Sequence, residues 1–135
     1  MSIQNEIDLS PMTGEEVRAL RKSYGLTTRD MADMVGVPQQ TWSKWEHNYC
    51  PGPWAFLLRE LEDEAVEDIS PVCLTGDIVR EIRETLFGTG RAMAEQLGLN
   101  VNTVYHWTQR GVSGRCGWGR ALVVIAGFYG VEVGV

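Results

Sequence analysis

The sequence predicts an all-α protein made of two tandem domains, each with four to five short helices. Apolar residues recur at the 3.6-residue spacing of helices that are buried on one face. Glycines and prolines divide these stretches into short segments. The chain also repeats itself, because residues 75–112 reproduce the pattern of residues 13–50 at an offset of 62.

The first domain is expected to span residues 13–68, after an N-terminal arm formed by residues 1–12, which show no helical period. Thr13 and Glu16 have the spacing of a capping box, so the first helix should begin there. Its apolar stripe consists of Val17, Leu20 and Tyr24.

Residues 27–48 predict two short helices joined by a tight turn. Gly36 can adopt the left-handed conformation that closes a helix, and Pro38 has its φ already set for the first turn of the next one. Ala32 is small enough to let the two helices cross closely. The stretch therefore predicts a helix-turn-helix.

The helix that follows Pro38 has two contrasting faces. Trp42 and Trp45 lie three residues apart and are expected to face the core. The opposite face carries polar residues, namely Gln39, Gln40, Ser43, Lys44 and His47. A solvated helix usually carries Glu and Lys there, whereas Gln, Ser and Lys can form hydrogen bonds with the edges of bases. This face therefore favours DNA recognition.

The chain from Thr13 to about residue 63 resembles the XRE family of phage-repressor and Cro-like helix-turn-helix domains. The resemblance is carried by TGEEVRALRKSYGLTTRDMA, GVPQQTWSKWE and PWAFLLREL. It implies a bacterial or phage regulator, usually a repressor, that binds a double-stranded DNA operator. The residues expected to read bases in the major groove are Gln39, Gln40, Ser43 and Lys44. Those expected to bind phosphates are Thr28, Arg29, His47 and Asn48.

Arg21 and Glu46 stand where the resembled family often pairs an arginine of its first helix with a glutamate of its third. The alternative is that both residues are ordinary exposed charges.

The second domain, residues 69–135, is predicted from the repeat. Twelve of the 38 positions aligned at the offset of 62 are identical, and they include the turn glycines and the core tryptophan. Its helices are expected near residues 76–86, 90–97, 100–109 and 117–129, with Asn100 as an N-cap. The candidate DNA contacts in this domain are Arg91, Val101, Asn102, Tyr105, His106 and Arg110. Thr108 stands where the first domain has Glu46, so this domain departs from the family pattern. The alternative is that it mediates dimerisation instead of reading DNA.

The C-terminal tail ALVVIAGFYGVEVGV, residues 121–135, is apolar nearly all round. A helix that is hydrophobic on every side must be buried. The tail is therefore expected to lie between the two repeats or against a second copy of the chain, which would make a homodimer.

The net charge of −6 is unusual for a nucleic-acid binder. Residues 1–70 hold six Lys and Arg against thirteen Asp and Glu, and many of these acids lie in EDEAVED, residues 62–68. A specific reader needs only a local basic surface, so DNA binding remains the favoured function. The acidic balance favours the alternative, a helix-turn-helix scaffold that inhibits another protein, as an anti-defence or antitoxin-like factor.

Other functional classes have no support in the sequence. No apolar run is long enough to span a membrane, and the N-terminus lacks the features of a signal peptide, so a cytoplasmic location is expected. The three cysteines fit neither a disulfide framework nor a metal knuckle and are expected to be free thiols. We expect no cofactor, metal site or catalytic residue.

Overall fold

The computed structural model describes residues 7–64, 66, 69–131 and 133. Its described residues are mostly helical and form one sheet of two short strands, so the predicted all-α class is confirmed. The chain divides into two compact units, one formed by Leu9–Pro71 and one that contains the chain from Val72 onward. None of the helices formed by the described residues is both long and apolar enough to cross a membrane.

The first unit contains four α-helices and the two-stranded sheet. In chain order its elements are β1 (Met12–Thr13), α1 (Gly14–Ser23), α2 (Thr28–Val35), α3 (Gln39–His47), β2 (Tyr49–Cys50) and α4 (Gly52–Glu62). Side chains cap the first two helices: Thr13 forms the predicted capping box with Glu16, and Thr27 accepts a hydrogen bond from the N–H of Asp30. Gly36 ends α2 in the left-handed conformation, as predicted. Tyr24 is exposed instead of lying in the apolar stripe of α1, because the helix ends before it.

Residues 9–12 pack within the first unit, whereas the sequence predicted an arm. Met12 is buried and pairs with Cys50 across the antiparallel strands β1 and β2. The guanidinium of Arg59 donates hydrogen bonds to the carbonyl oxygens of Ser10, at 2.8 Å, and Pro11. A two-residue strand has too few residues to show a period, so it could not be predicted from the sequence pattern. Residues 1–6 of the predicted arm lie outside the described part of the chain.

The second unit has the same order of helices. Its elements are α5 (Gly76–Ile82), a π-helical turn (Arg83–Phe87), α6 (Gly90–Leu97), α7 (Val101–Arg110), a 3-10 turn (Gly114–Cys116) and α8 (Trp118–Phe128). Thr75, Thr89 and the predicted Asn100 cap α5, α6 and α7 with their side chains. Gly98 ends α6 in the left-handed conformation, at the position that matches Gly36.

Backbone contacts also recur at the offset of 62. The isolated bridge between Leu74 and Val112 lies at the positions that match Met12 and Cys50. The N–H of Gly88 donates to the carbonyl of Arg83, and the N–H of Leu26 donates to the carbonyl of Arg21 at the matching positions. The similarity between the two segments therefore extends from residue type to backbone hydrogen bonding.

The turn after the first helix differs between the units because of one residue. Gly25 has a φ of +68° and lets the chain leave α1. Phe87 occupies the matching position, and a bulky side chain strongly disfavours that conformation. The helix therefore continues as a π-helical turn through Phe87, and the positive φ moves to Gly88, at +84°.

The apolar tail forms a buried helix of the second unit. Leu122 and Ile125 of α8 are fully buried, and Trp118 packs against Trp107 of α7 in a tilted pair with ring centroids 5.6 Å apart. Few apolar side chains of α8 are consequently left for a second chain, although Phe128 is 47% exposed. Residues 132, 134 and 135 of the predicted tail lie outside the described residues.

Gly14 lets α1 approach the backbone of α3. A Cβ at Gly14 would overlap the carbonyl oxygen of Glu46, whereas a Cβ at Gly127 of α8 would meet nothing within 4 Å. We expect Gly14→Ala to destabilise the protein by about 1–3 kcal/mol through overpacking. The matched control Gly127→Ala should stabilise it by about 0.5–1 kcal/mol, since glycine is a poor residue in a helix. Urea denaturation of both variants measures the two changes, and equal signs would contradict this account of Gly14.

Candidate nucleic-acid interface

The inward face of α3 is anchored by tryptophans. Trp42 is fully buried and Trp45 is 4% exposed, so both lie in the core as predicted. The ring centroids of Trp42 and Trp45 are 5.6 Å apart, and those of Trp45 and Trp54 of α4 are 5.5 Å apart. Interlocked aromatic rings of this size leave α3 little freedom to rotate.

Glu46 joins α3 to α1 through a partly buried ion pair. Its carboxylate accepts hydrogen bonds from Nε of Arg21 at 2.7 Å and from Nη2 of the same residue at 3.2 Å. The indole N–H of Trp42 and, at 3.4 Å, Nε of Arg18 also donate to it. The predicted pair of Arg21 and Glu46 is therefore present and belongs to a larger cluster.

The cluster keeps the Glu46 carboxylate charged. Burial alone would raise the pKa of Glu46, but the hydrogen bonds from Arg21, Trp42 and Arg18 outweigh it and hold the pKa below its ordinary value. Arg21 also donates from Nη1 to the carbonyl oxygen of Leu26, in the turn before α2, at 3.0 Å. A single guanidinium thus connects α1, this turn and α3.

The polar face of α3, defined as Gln39, Gln40, Ser43, Lys44 and His47, lies on the side away from this core. Its residues are exposed, except that Ser43 is half-buried. Nε2 of Gln39 donates a hydrogen bond to Oγ1 of Thr28 at 3.2 Å, which links the polar face to the start of α2. The second amide hydrogen and the carbonyl oxygen of Gln39 remain available for other partners.

His47 differs from the other members of this face because its ring is bonded to its own helix. Nδ1 lies 2.7 Å from the carbonyl oxygen of Ser43, and a carbonyl only accepts, so Nδ1 carries the proton. In a neutral ring Nε2 is then an acceptor, which suits a base amino group. While this bond is kept, the phosphate contact that the sequence predicted for His47 would have to be made through Nε2.

The residues predicted to bind phosphates lie at the start of α2 and at the end of α3. Thr28 and the exposed Arg29 begin α2, and the exposed Asn48 follows α3. The carbonyl oxygen of Asn48 accepts the N–H of Gly14 at 3.2 Å, so its backbone is fixed while its side chain faces solvent.

Comparison of the chain with protein-family models, with curated proteins and with solved structures found no match. The candidate interface is therefore defined by its geometry and chemistry.

The outer face of α7, defined as Val101, Asn102, Tyr105, His106 and Gln109, is the matching surface of the second unit. Its residues are exposed, except that Val101 is half-buried. The predicted contacts Arg91 and Arg110 are also exposed, one on α6 and one at the last residue of α7. Residues 71–135 carry six Lys and Arg against five Asp and Glu, so this half of the chain lacks the acidic excess of the first.

Two features of the site were missed in the sequence. Arg18 binds Glu46, and its identity with Arg80 in the repeat was the available signal. Tyr49 is 59% exposed next to α3. It shares an open cleft with Lys44, Trp45, His47, Asn48 and Pro51. An exposed tyrosine in a two-residue strand gives no sequence pattern, so only the structure revealed its position.

Proposed function

We propose that this protein is a sequence-specific transcription regulator of the XRE-like helix-turn-helix type that binds double-stranded DNA in the cytoplasm. The observation that carries the proposal is the division of α3 into a locked face and a free face. Trp42, Trp45 and Glu46 hold the helix, and amide, hydroxyl and ammonium groups project from the other side. Such a helix can enter the major groove without reorganising.

The side chains of the polar face match the chemistry of base edges. Gln40 can pair with N6 and N7 of adenine, and Lys44 can donate to O6 and N7 of guanine. The bond from Gln39 to Thr28 restricts an amide that would otherwise lose rotamer freedom on binding, which lowers the entropic cost of the contact. Side chains on one rigid helix would thus read neighbouring bases.

Contacts to phosphates would fix the position of α3 in the groove. Thr28 and Arg29 at the start of α2 and Asn48 after α3 flank the polar face in the chain. Such contacts carry no sequence information but set the register of the helix. A regulator bound in this way can repress transcription by occupying a promoter, which is the usual outcome in the resembled family.

Gln40→Ala tests base reading. We expect it to weaken binding to the preferred operator by about 1–3 kcal/mol and to leave binding to random DNA nearly unchanged. The operator would first be selected from a random DNA pool, and affinities would be compared at one salt concentration. Gln96→Ala, at an exposed glutamine of α6, is the matched control and should change neither affinity. An equal loss on both DNAs would contradict base reading by Gln40.

The acidic balance of the first 70 residues favours a second candidate function, in which the same scaffold binds and inhibits another protein. Thirteen acidic residues there face six basic ones, which weakens attraction to phosphates. A mobility shift on DNA from upstream of the protein's own gene separates the two candidates. A shifted band that Gln40→Ala abolishes supports the regulator, whereas the absence of any shift or selected sequence supports protein binding.

A further inference from the structure

The two recognition helices share part of their support but carry different outer side chains. At the offset of 62, Thr41 and Trp45 of α3 are identical to Thr103 and Trp107 of α7. All five members of the polar face of α3, in contrast, differ from their partners on the outer face of α7. The pairs are Gln39 and Val101, Gln40 and Asn102, Ser43 and Tyr105, Lys44 and His106, and His47 and Gln109.

Two of the supporting contacts of α3 recur in α7. A Cβ at Gly76 would lie 2.5 Å from the carbonyl oxygen of Thr108, and one at Gly14 would lie 2.2 Å from that of Glu46. Trp107 packs against Trp118 with ring centroids 5.6 Å apart, as Trp45 packs against Trp54 at 5.5 Å, and both pairs are tilted. Each helix is therefore held by a close glycine contact and a tryptophan pair within its own unit, although α7 has Val104 and Thr108 where α3 has Trp42 and Glu46. The exposed faces differ at every matching position.

That chemistry predicts different base preferences. Lys44 offers only donors, which suit guanine, whereas His106 offers one donor and one acceptor when neutral. Val101 replaces an amide with an apolar group that can contact the methyl of thymine. Asn102 keeps the amide of Gln40 on a shorter side chain, so it needs a closer approach to the base.

The start of the second helix differs as well. In the first unit Thr28 holds Gln39 by a hydrogen bond. In the second unit Gly90 occupies the matching position, and a Cβ there would lie 2.8 Å from Cε1 of Tyr105. The absence of a side chain at Gly90 thus makes room for the Tyr105 ring, which is 48% exposed. At this edge of the outer face of α7, the phenol ring of Tyr105 thus takes the place of the hydrogen-bonded Gln39 amide of the first unit.

From these differences we infer that one chain recognises an asymmetric DNA site composed of two unlike half-sites, one read by α3 and the other by α7. This inference rests on the DNA-binding function proposed above. Two identical helices in a symmetric dimer read a palindrome, because each copy meets the same bases. A chain whose two units carry different faces lacks this symmetry, so its DNA site need not be a palindrome.

Selection from a random DNA pool, with inserts long enough for two half-sites, tests the inference on the full chain. We expect two different sequence blocks on the same selected molecules. Selection with Gln40→Ala should relax one block, and selection with Asn102→Ala should relax the other. Asn102→Ala keeps the N-cap of α7, since Asn100 bonds to the backbone N–H of residue 102. Circular dichroism checks that both variants remain folded.

Affinities for defined DNAs complete the test. Asn102→Ala should weaken binding to the composite site by about 5- to 100-fold and leave binding unchanged when its block is scrambled. A single block, or two copies of one block, with no effect of Asn102→Ala would overturn the asymmetric site and leave the regulator standing. If no sequence is enriched, both proposals fail.

Discussion

Glu46→Ala is expected to lower the free energy of unfolding of the first unit by about 3 kcal/mol, the lower end of the range for removing one partner of a buried ion pair, because the Arg21 side chain is 16% exposed. The carboxylate is 5% exposed, and it is the acceptor for Arg21, Arg18 and the indole of Trp42. Its removal leaves a guanidinium and an indole N–H without their acceptor beside a small cavity. Urea denaturation followed by circular dichroism measures the loss.

The matched control is Thr108→Ala, at the equivalent position of α7. The hydroxyl of Thr108 donates to the carbonyl oxygen of Tyr105 in its own helix, at 2.8 Å. Losing that bond should cost about 1 kcal/mol. Hydrogen exchange resolved by peptide should show the larger loss of protection in α1 and α3 of the Glu46 variant. Similar losses for the two variants would mean that the ion-pair cluster does not stabilise the first unit.

Most helix boundaries could be predicted because their signals are local. Thr13 and Asn100 cap helices whose first turns lie within three residues, and Gly36 and Gly98 close helices with their own φ. The repeat showed the same arrangement of capping residues and closing glycines a second time. A signal contained in a few neighbouring residues can be read without knowing the fold.

Contacts between distant residues were harder to predict. The strand at Met12 exists only because Cys50 lies opposite it, 38 residues later. The tail was expected to lie between the two repeats or against a second copy, since a helix that is apolar all round does not show which core accepts it. Leu122 and Ile125 are buried and belong to the second unit. Arg21 and Glu46 were the exception, and they were found through a family resemblance.

The candidate site was predictable in composition but not in bonding. The exposure of Gln40 and Lys44 follows from helical period, because Trp42 and Trp45 fix the opposite face. The bond of Gln39 to Thr28 and that of His47 to the carbonyl of Ser43 depend on rotamers, which a period does not encode. These two bonds decide which donors and acceptors the face can present to a base.

Arg21 and Arg83 occupy matching positions of the repeat, yet their replacement by methionine should change the free energy of unfolding very differently. Arg21→Met leaves the buried Glu46 carboxylate without its bidentate partner, which should cost about 3 kcal/mol, near the lower end for a broken buried pair because Arg18 remains. Among the described residues, Arg83 has no such buried carboxylate as a partner, since Thr108 replaces Glu46. Its Nη2 bonds to Glu84, which is largely exposed.

The guanidinium of Arg83 is a poorly satisfied group. Among the residues that the structure describes, its Nε is buried and has no hydrogen-bond partner. Arg83→Met replaces it with an apolar group of similar length, so we expect a change within about 0.5 kcal/mol of zero or a gain in stability. Urea denaturation of both variants, with peptide-resolved hydrogen exchange, compares the two units directly. A loss for Arg83→Met as large as that for Arg21→Met would show that Arg83 has a stabilising role that its contacts do not explain.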